Sequence, residues 1–85
     1  MKVRILYFAS LREKIGKEAE EAELPAGVAT VAALRSHLRG RGGLYESAFA
    51  EKALLRAAVN QDMVQPAAAI KAGDEIAFFP PVTGG

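Results

Sequence analysis

One stretch of this 85-residue chain has the periodicity of a full amphipathic helix, and strand-type runs lie on both sides of it. Val31, Leu34 and Leu38 recur at i, i+3 and i+7, which places them on one helical face. Thr30 precedes them as a ready N-cap, and the Gly40-Arg41-Gly42-Gly43 run ends the helix. Whatever sheet the flanking runs build has this helix as its main cover, which constrains the chain to an α+β layout.

The flanking runs supply the strands. In Lys2–Phe8, Val3, Ile5 and Tyr7 point one way and Lys2, Arg4, Leu6 and Phe8 the other. Ser10-Leu11-Arg12-Glu13 reads as a capping box opening a short helical turn that stops at Gly16. Residues 17–24 are rich in Glu and Ala, a poor strand composition, so an edge strand paired as a hairpin with the first is expected. Pro25-Ala26-Gly27 is a turn. Residues 44–54 read as a loosely helical, Ala-rich linker. Residues 55–59 form a strand, followed by a turn at Asn60-Gln61-Asp62, Val64 beyond it and a stop at Pro66. A turn at Ala72-Gly73-Asp74 leads into Glu75–Phe79, with Ile76 and Phe78 on one face and Glu75, Ala77 and Phe79 on the other. A mixed sheet curled over one main helix is the β-grasp, or ubiquitin-like, arrangement. It is expected to occupy residues 1–79, with 80–85 as an extended tail.

Composition narrows the function. At 85 residues the chain has room for one domain. Eleven basic and ten acidic residues leave a net charge of +1, which gives no electrostatic reason to expect nucleic acid or an anionic membrane as partner. No apolar run is long enough to span a bilayer. The N-terminus begins in a strand pattern with no signal-type segment, so cytoplasmic residence is expected. There is no cysteine and one histidine, His37. Disulfides, cysteine nucleophiles and Cys- or His-based metal clusters are thereby excluded, and no bound cofactor is expected.

The tail is the remaining candidate for chemistry. Pro80-Pro81 end the last strand, because proline has no N–H to donate and a fixed φ. Val82 and Thr83 lead to Gly84-Gly85, the least bulky terminus a chain can have. Fully extended, Pro80–Gly85 reaches roughly 20 Å. At its base, Leu6, Phe8 and Phe79 fall on the non-core side of their strands, and Met63 lies just beyond the 60–62 turn. If the first and last strands are neighbours, these four form an exposed apolar patch of the kind that marks a partner surface. The competing reading is a minor core under residues 44–54. The Gly40–Gly43 run follows a helix rather than opening one, so it reads as a C-cap and loop and not a phosphate cradle. His37 lies off the apolar stripe and reads as solvated. Glu18, Glu20, Glu21 and Glu23 read as a solvated edge that blocks sheet-to-sheet pairing, with partner binding as the alternative.

Several segments resemble the small subunits of molybdopterin synthase, a family of ubiquitin-like sulfur carriers. They are Val3–Glu13, Thr30–Arg35, Ala57–Gln61 and, most specifically, Gly73–Gly85 with its Phe-Phe-Pro-Pro-Val-Thr-Gly-Gly ending. The resemblance covers essentially the whole chain; only residues 40–54 match no strong pattern. It implies that the carboxylate of Gly85 is adenylated by a ubiquitin-activating-like adenylyltransferase, which uses ATP, and is then converted to a thiocarboxylate. It implies further that the tail (Pro80, Pro81, Val82, Thr83, Gly84) enters the large synthase subunit. Sulfur then passes to cyclic pyranopterin monophosphate, with no catalytic residue supplied by this chain. The residues agree: without cysteine, the terminal carboxylate is the group left to hold sulfur. Leu6, Phe8, Met63 and Phe79 are then the partner-contact candidates. Carriers serving thiamine, tRNA thiolation or cysteine synthesis share this tail chemistry, and a lysine-conjugating protein modifier is the alternative from another class.

Overall fold

The computed structural model describes residues 1–81. Val82, Thr83, Gly84 and Gly85 lie outside the described residues, and with them the expected sulfur-bearing position, Gly85, and most of the expected insertion segment.

Five strands, β1 (Lys2–Tyr7), β2 (Ala19–Glu23), β3 (Arg56–Val59), β4 (Asp62–Val64) and β5 (Glu75–Phe79), make one sheet in the order β2-β1-β5-β3-β4. β1 and β5 run parallel at its centre, and the flanking pairs are antiparallel. Three helices accompany it: α1 (Ala9–Ile15), α2 (Val31–Arg39) and α3 (Leu44–Ala48). This is the mixed-sheet β-grasp expected from the strand–helix order. The Glu- and Ala-rich strand β2 sits at an edge, as its composition requires.

Alternation along the strands builds the core. Val3, Ile5, Tyr7, Ile76 and Phe78 point to one face and meet Val31, Leu34 and Leu38 of α2 in a single buried cluster. Each such side chain contributes roughly 1.5–3 kcal/mol by leaving water. Thr30 caps α2 as expected, its Oγ1 accepting from the Ala33 N–H at 3.1 Å. Gly16 closes α1 at φ 85°, a conformation that costs glycine little.

Three expectations are corrected. The Ser10/Glu13 capping box does not form, because α1 begins at Ala9 with Phe8 as its uncapped N-cap. The parallel ladder runs one residue further than β1 itself, through Phe8 N–H to Phe78 O at 3.2 Å, so the chain turns before Ser10. The 44–54 segment is helical only over Leu44–Ala48. Beyond that, the Arg35 guanidinium donates to Ala50 O at 2.6 Å and Ala53 O at 2.7 Å, satisfying carbonyls that a continuing helix would have paired. Phe49 is wholly buried there, with edge-to-face contacts to Tyr7 (6.1 Å) and Phe78 (5.2 Å). The turn after β3 is tighter than expected: Asp62 already pairs with Val59, leaving Asn60-Gln61 as a two-residue hairpin. Both residues have positive φ, 50° and 73°, as a type I′ turn requires.

Candidate functional site

The register of the sheet assembles the side chains that face away from the helices. Leu6 pairs with Ala77, Ala77 with Ala58, and Ala58 with Met63, so four strands contribute one apolar row. One step toward the tail, Phe79 pairs with Arg56, and Phe8 follows β1 at the same end. β1 and β5 are neighbours, which was the condition for the patch. Phe8 is 46% exposed and Met63 58%, while Leu6 and Phe79 are half-buried. The 44–54 segment does not cover them. It packs on the opposite face, through Phe49 against Tyr7 and Phe78. Sequence reasoning missed the two alanines, Ala58 and Ala77. Their small side chains keep the middle of the row shallow between larger residues on either side, and only the strand register reveals that they are aligned.

The same face changes character at its other end. Arg4 pairs with Glu75 at 3.8 Å and Lys2 with Glu21 at 3.8 Å. These exposed pairs add little stability, but they make the face polar away from the tail and apolar beside it. The hairpin end is fixed by a local network. Asn60 Nδ2 donates to Asp74 Oδ1 at 3.0 Å, and the Glu75 N–H donates back to Asn60 Oδ1 at 3.0 Å. Asp74 also accepts from the Lys71 N–H at 2.9 Å. The Asn60 hydrogen bond first, then the Lys71 amide, hold the Asp74 carboxyl below the usual carboxylate range. The network ties the β3–β4 hairpin to the start of β5, which sets where Met63 stands relative to Phe79.

On the other edge, Glu20 departs from the solvated role expected of the acidic run. Its carboxylate accepts from Tyr7 Oη (2.8 Å), Tyr45 Oη (2.8 Å) and Arg41 Nη1 (2.7 Å), with Lys17 Nζ at 3.5 Å. Burial alone would raise its pKa, but the donations from Arg41, Tyr7 and Tyr45 prevail and lower it to about 2. The Tyr7 hydroxyl moves the opposite way, raised by burial and then by its bond to Glu20. Glu20 thereby joins β1, β2 and the segment leading into α3. The other three acidic residues of the run are exposed at the edge. Gly42 and Gly43 lie in the loop between α2 and α3, at φ 77° and 57°.

Pro80 and Pro81 continue from β5 outside regular structure, beside the apolar end of the outer face. Among the described residues there is no group of three or more potential metal ligands. No described helix is long and apolar enough to cross a membrane. The described residues place an exposed apolar surface beside Pro80 and Pro81.

Comparison with known proteins gives this arrangement relatives. A molybdopterin synthase sulfur carrier subunit from Haemophilus influenzae is 46% identical over 83 residues, covering 98% of this chain and 99% of the relative. Among solved structures, a proposed molybdopterin converting factor subunit 1 from Pyrococcus furiosus is 34% identical with a TM-score of 0.79, over 96% of this chain and 99% of its own. A chain in a complex of subunits 1 and 2 of the molybdopterin-converting factor from Helicobacter pylori shares the fold, at 24% identity, a TM-score of 0.65 and full coverage of both chains. The family model described as ThiS matches residues 5–85. With a family match that begins inside β1 and runs through the last residue, and an alignment to a sulfur carrier subunit along nearly its whole length, the chain belongs to the ThiS family.

Proposed function

We propose that this chain is the sulfur carrier subunit of a molybdopterin synthase. The observation that carries the reading is its near full-length kinship with a sulfur carrier subunit at 46% identity. The apolar outer face beside Pro80 and Pro81 supports it, because a carrier has to be gripped at the foot of its tail by each protein that acts on the tip. The fold supplies a rigid base for the tail, since β5 is hydrogen-bonded on both sides by β1 and β3.

The chemistry falls to the carboxylate of Gly85. A carboxylate resists nucleophilic attack at neutral pH. Transfer of AMP from ATP, with loss of pyrophosphate, makes an acyl adenylate whose leaving group is AMP. A sulfur nucleophile then displaces AMP to leave a thiocarboxylate. In the synthase that sulfur passes to cyclic pyranopterin monophosphate, and water restores the carboxylate. ATP is consumed by the activating adenylyltransferase, and this chain holds no cofactor of its own. Gly84 gives clearance in both active sites, while Pro80 and Pro81 limit the freedom lost when the tail is inserted. Leu6, Phe8, Met63 and Phe79 form the contact surface for the large synthase subunit and for the adenylyltransferase. The setting of this chemistry is the cytoplasm.

Incubation with the adenylyltransferase, ATP and a sulfur source tests the reading by intact mass. One sulfur-for-oxygen exchange at the C-terminus is expected, and removal of Gly85 should abolish it with the fold intact. A ladder of lysine conjugates without thiocarboxylate would sink the carrier reading in favour of a protein modifier. Sulfur transfer to the pyranopterin precursor by the loaded chain with the large subunit separates this pathway from the related ones.

A further inference from the structure

A second apolar surface reaches the tail from the other side of the sheet. Between α2 and the β3–β4 hairpin lies an open groove of about 620 Å³. Ala57, Val64 and Phe78 belong to its lining, and Leu54, Met63 and Pro81 stand with them. Two of these residues link the groove to the surface already described. Met63 belongs to the outer apolar row, and Pro81 is part of the tail base. Leu54 is 77% exposed, more than any other large apolar residue among those described. Such exposure on a groove wall is the expected state of a side chain that awaits a partner.

The charges specify the occupant. Arg35, Arg39 and Arg56 line the groove against one carboxylate, Glu51. Arg39 pairs with Glu51 at 3.3 Å, but Glu51 is 86% exposed, and a pair so open to solvent holds its partners weakly. Arg35 spends one nitrogen on the Ala50 and Ala53 carbonyls. Arg56 makes no ion pair among the described residues. A groove with apolar lining and a guanidinium excess fits an apolar peptide segment that carries carboxylates. A small-molecule site would instead bring several polar groups together on the floor.

We infer that the groove between α2 and the β3–β4 hairpin receives an acidic, apolar segment of the large synthase subunit, so that this partner grips the tail base from both sides of the sheet. The partner's identity rests on the function proposed above. A protein that takes in the tail must surround Pro81, and Pro81 is itself a groove residue, so the receiving protein is already at the groove's edge.

The test is the affinity of the whole chain for the large subunit, with Leu54→Asp, Arg56→Glu and Phe79→Asp compared with the unmodified protein. Leu54→Asp should weaken the complex at least tenfold with the thermal midpoint unchanged, since Leu54 has little contact to lose in the free protein. Arg56→Glu should slow association and flatten its salt dependence. In the complex, amide exchange at Val64 and Gln65 should slow, a readout that needs no substitution. Loss of binding by Phe79→Asp alone, with Leu54→Asp binding normally and no added exchange protection, overturns the groove assignment and leaves the carrier reading standing. If no variant affects binding, the groove falls together with the proposed partner surface. Binding of the pyranopterin precursor to the isolated chain, with Val64 and Gln65 protected by it, would also overturn the inference in favour of a small-molecule site.

Discussion

Tyr7 and Phe8 are neighbours in sequence, as are Phe78 and Phe79, yet each pair is divided between opposite faces of the sheet. Tyr7 and Phe78 are 1% exposed, whereas Phe8 is 46% exposed and Phe79 half-buried. The inner face is closed by α2 and by Phe49, and its residues hold the domain together. The outer face uses the alternate residues of the same strands and has no covering layer among the described residues. Because the side-chain period of a strand is two, one stretch of chain specifies both a core and an exposed apolar surface without either compromising the other.

Substitutions should separate the faces. Phe78→Ala removes a ring packed edge-to-face on Phe49 and should cost about 3–5 kcal/mol in chemical denaturation. Any loss of partner binding should then track loss of fold. Phe79→Asp should do the reverse, weakening the complex with the large subunit by about 2 kcal/mol or more. Its unfolding midpoint should stay near that of the unmodified chain. If Phe79→Asp unfolds the protein as readily as Phe78→Ala does, the division between the faces fails.

A smaller effect is expected at the edge of the core. Glu20→Gln keeps the shape but gives up the charge that Arg41, Tyr7 and Tyr45 address, and should cost about 2 kcal/mol. The sign of the pH effect follows from the lowered pKa. Glu20 stabilises the fold above its ordinary value of 4.5, and that contribution is lost as pH falls toward about 2. Thermal scans across that window should show a shallower acid decline for the variant. The smallest change is expected at Gln61, whose φ of 73° glycine adopts more easily. Gln61→Gly should raise stability by about 1 kcal/mol. Partner affinity should not change, because the turn lies at the end of the outer face remote from the tail.

How much was legible depended on the range of the interactions involved. The α2 stripe, its Thr30 cap, the Gly16 stop and the bounds of β5 all follow from periodicity and from residues a few positions apart. The Ser10 capping box failed although its local pattern was sound, because the β1–β5 ladder extended one residue and moved the helix start. Glu20 could not be told from Glu18, Glu21 or Glu23 by composition. What distinguishes it is that Tyr7 of β1 and Arg41 and Tyr45 of the stretch that opens α3 converge on it from two separate segments. Phe49 was hidden in an Ala-rich linker with no periodicity to mark it as core. The patch residues Leu6, Phe8, Met63 and Phe79 could be named in advance, whereas Ala58 and Ala77 could not. An alanine carries no signal of its own until the register sets it between larger neighbours.

The sequence alone determined the β-grasp class and the two faces of the strands, because these depend on period and on turn residues; the proposal that the tail is the reactive element also rests on the sequence, on its prolines and glycines and on the absence of cysteine. Only the tertiary structure decided which apolar residues share a surface, that Glu20 is a half-buried junction, and that a groove beside Pro81 adjoins the outer face. Those outcomes require segments more than a dozen residues apart to meet, and their meeting is governed by strand order and register rather than by any local pattern.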